Sequence, residues 1–354
     1  MFAVHQACKP RPQAITPGYR AGANLIAAHD RWTYDFYLVV HTQGHAVIHI
    51  YTEEQVSSAI SWRDVLRELP AAFESLRTGD ATIAPRQRVD CGATKLSSMG
   101  AVWQSRQVAA YKTYTSVAGQ FNFLLNLFDL ATGAHHVMPG NEITRARTAA
   151  MTAWAAREIT TPHPQKLALF GLGIQGRTHL EALQETLQFS DIAVVDTADV
   201  SASCHLLAKQ WGVPIYQSTP EQAVVGADLV VTITRSKTPV FNGEWLKPGA
   251  SVCAVGTSLP GGSELDATTR QRCSQAIVEW KPQSLLEAGE IVMGLADGSL
   301  DAQRVCDLPE LLGGQTPWRR HPEDIVLFKA VGVGLSDLVA ARLAVLQLPA
   351  VARH

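Results

Sequence analysis

Short apolar runs alternate with amphipathic segments through the second half of the chain. The continuous runs Leu167–Phe170 and Ile192–Val195 are typical of parallel strands covered on both faces, and Ile174–Leu187 between them predicts a helix. The alternation continues with predicted helices at Ser201–Trp211 and Thr219–Gly226, and with predicted strands at Ile215–Tyr216, Leu229–Thr234, Ser251–Gly256 and Ala276–Glu279. Strands separated by helices predict an α/β fold with a doubly wound parallel sheet, whose ligand crevice lies at the carboxyl ends of the strands.

The first half of the chain has a different pattern. Thr52, with a glutamine three residues later, predicts a capped helix start, and apolar residues at helical spacing predict helices over Val56–Trp62 and Val65–Leu76. Pro70 is expected to mark the break or the start of the second helix, and Gly79 its end. Strand-like segments and one long helix follow at Ala81–Val89, Ala101–Trp103, Val108–Tyr114, Phe121–Leu130, His135–Met138 and Ile143–Ile159.

The two ends of the sequence carry weaker signals. Residues 1–46 show no sustained periodicity, so we expect an extension of loose order, although Phe36–Val40 and Ala46–Ile50 have the composition of strands. Pro322–Leu348 is expected to be a helix-rich return with a glycine break at residues 332–334.

A glycine motif of the spacing G-x-G-x-x-G directly follows the first predicted parallel strand. Strand, glycine turn, helix and second strand together predict a Rossmann-type dinucleotide site, with the phosphates at the helix N-terminus. Asp196 ends the second strand and is followed by no arginine, which favours NAD(H) over NADP(H). The expected cofactor contacts in this unit are Gly171, Gly173, Ile174, Gln175, Gly176 and Asp196.

Composition narrows the range of partners. With 46% hydrophobic and 18% charged residues and a net charge of −2, the 354-residue chain gives no electrostatic case for nucleic acid or an anionic membrane. No apolar run approaches the ~20 residues of a membrane span. The six cysteines are scattered and His135 and His136 would point opposite ways on a strand, so we expect no metal site. We expect the cysteines to be buried small hydrophobes in a reducing cytoplasm.

Several separate motifs resemble the ornithine cyclodeaminase/mu-crystallin family. These are the sequences LFDLATG at 127–133, ITRARTAA at 143–150, LFGLGIQG at 169–176, AVGTSLPGGSELD at 254–266, DLPELLG at 307–313 and LFKAVGVGLSD at 327–337. The resemblance runs from about residue 50 to the C-terminus, and residues 1–46 lie outside it.

The resemblance implies two domains. Residues 151–321 would form the NAD-binding Rossmann domain, and residues 47–150 with 322–354 would form an α+β domain that binds substrate and dimerises through its sheet. Members bind a small amino or imino acid beside the nicotinamide, and their chemistry passes through an imine. We therefore expect an oxidoreductase that converts a small 2-imino acid, either a ketimine or a cyclic imine, into an amino acid, or the reverse. We also expect a homodimer.

Three cations are the expected substrate contacts. Arg147 matches an arginine of the family motif, and its planar fork suits a carboxylate. Lys112 stands at the position of the family's strand lysine, where its partner would be the substrate carboxylate or the imine region, to which it would also help to deliver a proton. Arg86 stands at the place of a further carboxylate-binding arginine, but Arg88 lies two residues on and the sequence does not separate them. The alternative for each cation is an ordinary surface role.

Ser258 departs from the cyclodeaminase pattern, which has an aspartate there for ring closure. A hydroxyl cannot replace that carboxylate as a base, so we favour imine reduction and assign a catalytic role to Lys112 and Ser258. A cyclodeaminase and a non-catalytic NAD(P)H-dependent binding protein remain alternatives. The segment from Lys112 to Phe128 is about seven residues shorter than in typical members, and Gln120 or Asn122 is expected to supply polar contacts. Further cofactor contacts are expected at Thr232, Thr234, Gly256 and Val331.

Overall fold

Two β-sheets organise the part of the chain that the structure, a computed structural model, describes: residues 38–42, 45–314 and 316–348. Residues 1–37, 43 and 44 of the expected N-terminal extension lie outside the described residues. The rest of that segment is strand, in agreement with the strand-like composition before residue 50.

The first sheet is mixed, with seven strands in the order β1-β2-β7-β6-β5-β4-β3. All neighbours pair antiparallel except β2 and β7, which are parallel. The strands are β1 (Leu38–Thr42), β2 (His45–Ile50), β3 (Ala81–Cys91), β4 (Thr94–Trp103), β5 (Val108–Val117), β6 (Gln120–Asp129) and β7 (His135–Pro139). The strands predicted between residues 81 and 138 are thus confirmed, with β4 extended towards its N-terminus.

Three helices accompany this sheet: α1 (Glu53–Ala59), α2 (Trp62–Thr78) and α3 (Asn141–Ile159). The capping box at Thr52 is present, and Gly79 ends α2 in the left-handed conformation with φ of 84°. The prediction for Pro70 is wrong, because α2 continues through it. Leu69 and Phe73 on either side are fully buried, and their packing offsets the roughly 3 kcal/mol that a proline costs inside a helix.

The second sheet is parallel throughout and has eight strands in the order β10-β9-β8-β11-β12-β15-β13-β14. Its strands are β8 (Lys166–Phe170), β9 (Asp191–Val195), β10 (Ile215–Gln217), β11 (Leu229–Thr232), β12 (Ser251–Ala254), β13 (Cys273–Val278), β14 (Val305–Asp307) and β15 (Ile325–Lys329). The order reverses beside β8, so the doubly wound α/β fold is confirmed and the switch point lies beside the glycine motif.

The helices of the second half are α4 (Ile174–Leu187), α5 (Ser201–Trp211), α6 (Pro220–Val224), α7 (Ala267–Arg272), α8 (Lys281–Glu287), α9 (Gly289–Asp297), α10 (Leu308–Leu312) and α11 (Gly334–Gln347). Helix α11 returns to the first sheet and packs on β4 and β5 and on α2 and α3. Its first residue, Gly334, lies so close to β4 that a Cβ there would be 2.2 Å from the Gly100 carbonyl oxygen.

The residues after 321 do not all join the first sheet. Ile325–Lys329, expected within a helix-rich return, is a strand between β12 and β13 of the parallel sheet. All five residues of this strand are buried. A short, fully buried strand and a buried helical segment have the same apolar pattern in sequence, so periodicity does not distinguish them. Helix α3 also runs unbroken through the expected boundary at residues 150 and 151. The division into two domains stays a prediction. Its boundaries have to account for the place of β15 in the parallel sheet and for the continuity of α3.

Two further expectations can be compared with the described residues. No helix among them is long and apolar enough to cross a membrane. Cys204, Cys253, Cys273 and Cys306 are buried as expected, but Cys91 at the end of β3 is exposed.

Candidate active site

A cavity of about 1270 Å³ lies where the carboxyl ends of the parallel strands face the first sheet. One wall is formed by the ends of β8, β9, β11 and β12, and the other by β5, β6 and the start of α3. A dinucleotide crevice is expected at this edge of a doubly wound sheet. Most of the predicted site residues line it: Arg86, Lys112, Arg147, Gly171, Gly173, Ile174, Gln175, Gly176, Asp196, Thr234, Gly256, Ser258 and Val331.

The glycine turn has the shape that a dinucleotide needs. Gly171 has φ of 98°, and a Cβ at Gly176 would lie 2.0 Å from the Gly171 carbonyl oxygen, so α4 packs directly on the turn. Gly173 has open space where a Cβ would stand, which leaves the backbone approachable at the N-terminus of α4. Free N–H groups and the helix dipole favour a pyrophosphate there. The residues present therefore fit a dinucleotide.

Asp196 directly follows β9 at the far end of this turn. Its Oδ2 accepts a hydrogen bond from the Leu172 amide at 2.7 Å, and its Oδ1 accepts one from the Ala198 amide at 3.0 Å. These bonds fix the carboxylate at the cavity wall, and each oxygen keeps a second lone pair for a ribose hydroxyl. The role of Asp196 in selecting NAD(H) stays a prediction.

A buried carboxylate, Glu264, joins the loops after β11 and β12. It accepts hydrogen bonds from the amide and hydroxyl of Thr234 at 2.8 and 2.7 Å, and from the Gly256 amide at 2.7 Å. It also accepts the hydroxyl of Thr232, which is fully buried behind the wall and does not line the cavity. Because the Thr232 hydroxyl donates to Glu264 behind the wall, the geometry does not support the predicted direct contact between this side chain and the cofactor.

The loop after β15 is held from beneath. Glu279 Oε2 accepts the amides of Val331 and Gly332 at 2.7 and 2.6 Å, and burial raises the pKa of this carboxyl. Lys329 is fully buried and donates to the Thr257 carbonyl at 2.6 Å, with Glu290 2.8 Å away. These contacts set the position of Val331 at the cavity wall.

Lys112 and Arg147 share one buried carboxylate, Asp337 on the first turn of α11. Lys112 Nζ lies 3.1 Å from Asp337 Oδ1, and Arg147 Nε lies 3.0 Å from the same oxygen. Lys112 also donates to the Thr144 hydroxyl at 2.6 Å, which leaves one of its three protons for a ligand. Neither terminal nitrogen of Arg147 donates to any described residue, so both are available to a carboxylate.

The environment tunes these charges. Burial lowers the pKa of Lys112 to about 8, with Asp337 opposing the shift and Arg147 adding to it. Burial alone would raise the pKa of Asp337, but Lys112 and Arg147 outweigh it and hold that pKa below its usual value. Lys112 is therefore poised to exchange a proton near neutral pH.

The structure separates Arg86 from Arg88. Arg86 lines the cavity, but its terminal nitrogens are engaged with Glu287 and with the carbonyls of Val331 and Gly332. Arg88 pairs with the other oxygen of Glu287 at 2.6 Å and does not line the cavity. Arg86 fixes the loop after β15 and adds its charge to the cleft, and its direct contact with substrate stays a prediction, because Nε has no partner among the described residues and Nη1 uses one of its two protons.

Ser258 is oriented by Arg88, which donates to the Ser258 hydroxyl at 3.2 Å and to its carbonyl at 3.0 Å. A guanidinium has no acceptor, so the hydroxyl hydrogen of Ser258 remains free for a ligand in the cavity. Gln120 and Asn122, expected to supply polar contacts, do not line the cavity. Asn122 lies next to Phe121 and Phe123, which do line it, and successive residues of a strand face opposite sides.

Four acidic residues of this network carried no assigned role in the sequence: Glu264, Glu279, Glu287 and Asp337. Asp337 and Glu264 lie within the motifs at 327–337 and 254–266, so the signal was present without a partner to interpret it. Among the described residues, no group of three or more histidine, cysteine or acidic side chains could hold a metal ion.

Known proteins resemble the chain over most of its length. The profile of the ornithine cyclodeaminase/mu-crystallin family matches residues 47–347. A probable ornithine cyclodeaminase from Bordetella pertussis Tohama I superposes with a TM-score of 0.80 at 37% identity, covering 84% of this chain and 96% of that one. Ketimine reductase mu-crystallin from Macropus fuliginosus is 32% identical over 230 residues, 65% of this chain and 70% of the relative. Δ(1)-pyrroline-2-carboxylate reductase from Bacillus cereus is 27% identical over 210 residues, 58% of this chain and 64% of the relative.

Proposed function

The chain belongs to the ornithine cyclodeaminase/mu-crystallin family, and on this basis we propose that it catalyses NAD(H)-dependent reduction of a small 2-imino acid to an amino acid, or the reverse oxidation. The observation that carries the proposal is the pair Lys112 and Arg147, whose free donors face the dinucleotide crevice. The named relatives that reduce imines support the same reaction class.

Each residue has a role that follows from its contacts. The two terminal nitrogens of Arg147 bind the substrate carboxylate, with Gly332 beneath the guanidinium, where a Cβ would lie 2.6 Å from Nη1. Lys112 carries the proton that the imine nitrogen needs, and Asp337 fixes its position. Ser258 offers a further hydroxyl donor. A nicotinamide bound in the crevice would supply the hydride, which is the redox chemistry of the reaction.

A preference for NADH over NADPH is part of the proposal. Asp196 is positioned to accept ribose hydroxyls, and its negative charge would repel a 2′-phosphate. Initial rates with the two cofactors, and with an Asp196→Ser variant, test it. We expect at least a tenfold higher kcat/KM with NADH, narrowed in the variant. An equal or higher kcat/KM with NADPH in the unaltered protein would reverse the assignment.

The cyclodeaminase alternative is less well supported by the site. Among the described residues that line the cavity, the only carboxylate is Asp196, which belongs to the glycine-turn end. An ornithine ω-ammonium would therefore meet no carboxylate partner beside Lys112. A binding protein without turnover remains the alternative from another functional class, because the same cleft would hold both ligands.

Three measurements on the same protein, namely NADH oxidation, ammonia release and NADH binding, distinguish the three functions. NADH oxidation is followed against cyclic imines and against 2-oxo acids mixed with ammonia or methylamine, while ornithine is tested for ammonia release. Oxidation with any imine supports the reductase. Ammonia from ornithine without NADH oxidation would favour the cyclodeaminase, and tight NADH binding without either activity would favour the binding protein.

We also propose that the protein acts as a homodimer in the cytoplasm. Large apolar side chains are exposed on the face of the first sheet that does not form the cavity, among them Val89, Leu96, Tyr111 and Leu124. An apolar sheet face of this kind suits a second copy of the chain. The buried reduced cysteines and the use of NADH are compatible with a cytoplasmic location.

A further inference from the structure

An aromatic wall closes one side of the cavity beside the cations. It consists of Tyr114 on β5 and of Phe121 and Phe123 on β6, all of which line the cavity. The ring centroids of Tyr114 and Phe123 are 5.0 Å apart, and those of Phe121 and Phe123 are 5.6 Å apart with nearly parallel planes. The three rings therefore form one continuous apolar surface.

The wall starts at the cation that meets the substrate. Lys112 Nζ lies 4.6 Å from the centroid of Phe123 and 5.9 Å from that of Tyr114. In a 2-imino acid the side chain leaves the carbon next to the carboxylate. A carboxylate held by Arg147, with the imine nitrogen at Lys112, thus places that side chain within reach of these rings.

These aromatic side chains are not part of the buried hydrophobic core. Phe121 is 47% exposed, and Phe123 and Tyr114 are only partly buried. The hairpin between β5 and β6 turns through Ala118 and Gly119 alone, with φ of 48° and 79°, so no long loop of this hairpin covers the rings. A partly exposed apolar wall inside a cleft is typical of a ligand site.

A charged side chain resting on the wall would lie against aromatic rings, because Arg235, a further cation that lines the cavity, follows β11 on the opposite wall. Arg86 is almost fully buried and its terminal nitrogens hold Glu287 and two carbonyls, so the donors that Arg147 and Lys112 present beside the wall serve one carboxylate and the imine. Asp196 follows β9 on the opposite wall, where its remaining lone pairs are assigned to the cofactor ribose and not to a side chain resting on the aromatic rings. Resting on the proposed imine reduction, we propose that the preferred substrate is a 2-imino monocarboxylate with a bulky apolar or aromatic side chain packed on Tyr114, Phe121 and Phe123.

The test compares imines that differ only in their side chain. Methylamine is condensed with pyruvate, 4-methyl-2-oxopentanoate, phenylpyruvate and oxaloacetate, and kcat/KM is measured for each with NADH. We expect the phenylpyruvate imine to exceed the pyruvate imine at least tenfold and the oxaloacetate imine further. A preference for the methyl or the acidic side chain would overturn the inference while leaving imine reduction intact.

Variants locate the preference on the wall. Phe123→Ala and Phe121→Ala should lower the ratio of the phenylpyruvate to the pyruvate kcat/KM at least fivefold. The control is Asn122→Ala, which lies between them on the strand outside the cavity and should leave the ratio unchanged. An equal loss for both substrates in the phenylalanine variants would refute the specificity role.

Binding provides a second readout that does not need turnover. The affinities of N-methylphenylalanine and N-methylalanine are measured by calorimetry on the protein saturated with NAD⁺. The aromatic compound should bind at least tenfold more tightly, and this advantage should shrink in Phe123→Ala. Equal or weaker binding of the aromatic compound overturns the inference, whereas absence of turnover with every imine counts against the proposed function alone.

Discussion

At the scale of single residues, one carboxylate fixes the geometry of the two cations that we propose to contact the substrate. Asp337 Oδ1 accepts from Lys112 and from Arg147, so the two cations approach the cleft together and keep free donors on the side of the cavity. Breaking a buried charge network of this kind by removing one partner is strongly destabilising, because the remaining charge is left uncompensated. Tests of the cations therefore need variants that preserve the charge balance.

Replacing Arg147 tests carboxylate recognition. Arg147→Lys keeps the positive charge beside Asp337 but loses the fork, so we expect kcat/KM for the best imine to fall at least tenfold, about 1.4 kcal/mol. The matched control is Arg145→Ala on the same helix, since Arg145 binds Glu142 and Thr178 and lies outside this cavity. Unchanged kinetics in Arg147→Lys would remove the fork from the binding site.

The pKa of Lys112 predicts a pH dependence. Burial lowers that pKa to about 8, so the ammonium that binds and protonates the imine is present below pH 8 and lost above it. We expect kcat/KM for imine reduction to fall through an apparent pKa near 8. In the substrate complex an additional carboxylate favours the ammonium, so the corresponding limb of kcat should lie at higher pH.

Rates measured from pH 6 to 10 in a buffer of constant ionic strength check this dependence. Lys112→Arg supplies a cation that does not titrate in this range, so its residual activity should show no limb near pH 8. A limb that persists unchanged in Lys112→Arg would assign the titration to another group.

Single residues also show where the sequence stops being informative. The types and positions of Lys112 and Arg147 could be identified from motifs, because each stands in a recognisable local context. Which atoms of Arg86 remain free could not be identified in this way, since its partners Glu287, Val331 and Gly332 lie 201 to 246 residues away in the chain. The same holds for Asp337, whose function is defined only by the two cations it contacts.

At the scale of elements, the two glycines at the start of α4 have different tasks, and this gives a matched pair of variants. A Cβ at Gly173 meets no atom within 4 Å, but it would occupy the approach to the helix N-terminus. We expect Gly173→Ala to keep its Tm and to weaken NADH binding at least tenfold. A Cβ at Gly176 would lie 2.0 Å from the Gly171 carbonyl oxygen, so Gly176→Ala should lower the Tm measurably.

Thermal denaturation without ligand and titration of NADH fluorescence measure the two effects separately. Loss of stability in Gly173→Ala with normal NADH affinity would contradict the assignment of that glycine to the phosphates. An unchanged Tm in Gly176→Ala would show that the contact between α4 and the turn can relax.

Elements were predictable where pattern and punctuation agree. Strand β8, the glycine turn and α4 show the hydrophobic pattern and the turn residues expected of a strand, a turn and a helix. The capping box at Thr52 likewise marks the first residue of α1. Pro70 shows where local sequence signals fail, because the burial of Leu69 and Phe73 outweighs the tendency of proline to end a helix. Strand β15 is a second such case, because its place in the sheet is set by pairing with β12 and β13, which lie far from it in the chain.

At the scale of the whole molecule, the first sheet presents two contrasting faces. Strand alternation sends Lys112, Tyr114 and Phe123 towards the cleft, while Tyr111 and Leu124 point away and are 39% and 45% exposed. The outward residues join Leu96 and Val89 on neighbouring strands, where Val89 pairs with Leu96 across β3 and β4. The aromatic wall and the apolar outer face are thus built from the same strands.

This arrangement predicts that the outer face is a homodimer interface, because one copy of the chain would cover the apolar face of another. Introducing charge with Leu96→Glu or Leu124→Glu should produce monomers in light scattering coupled to size exclusion, since burying an unpaired carboxylate in an interface is costly. The control is Leu206→Glu, which is 67% exposed on α5 and outside the sheet, and should keep the mass of the unaltered protein. A dimer that survives both sheet variants would place the interface elsewhere.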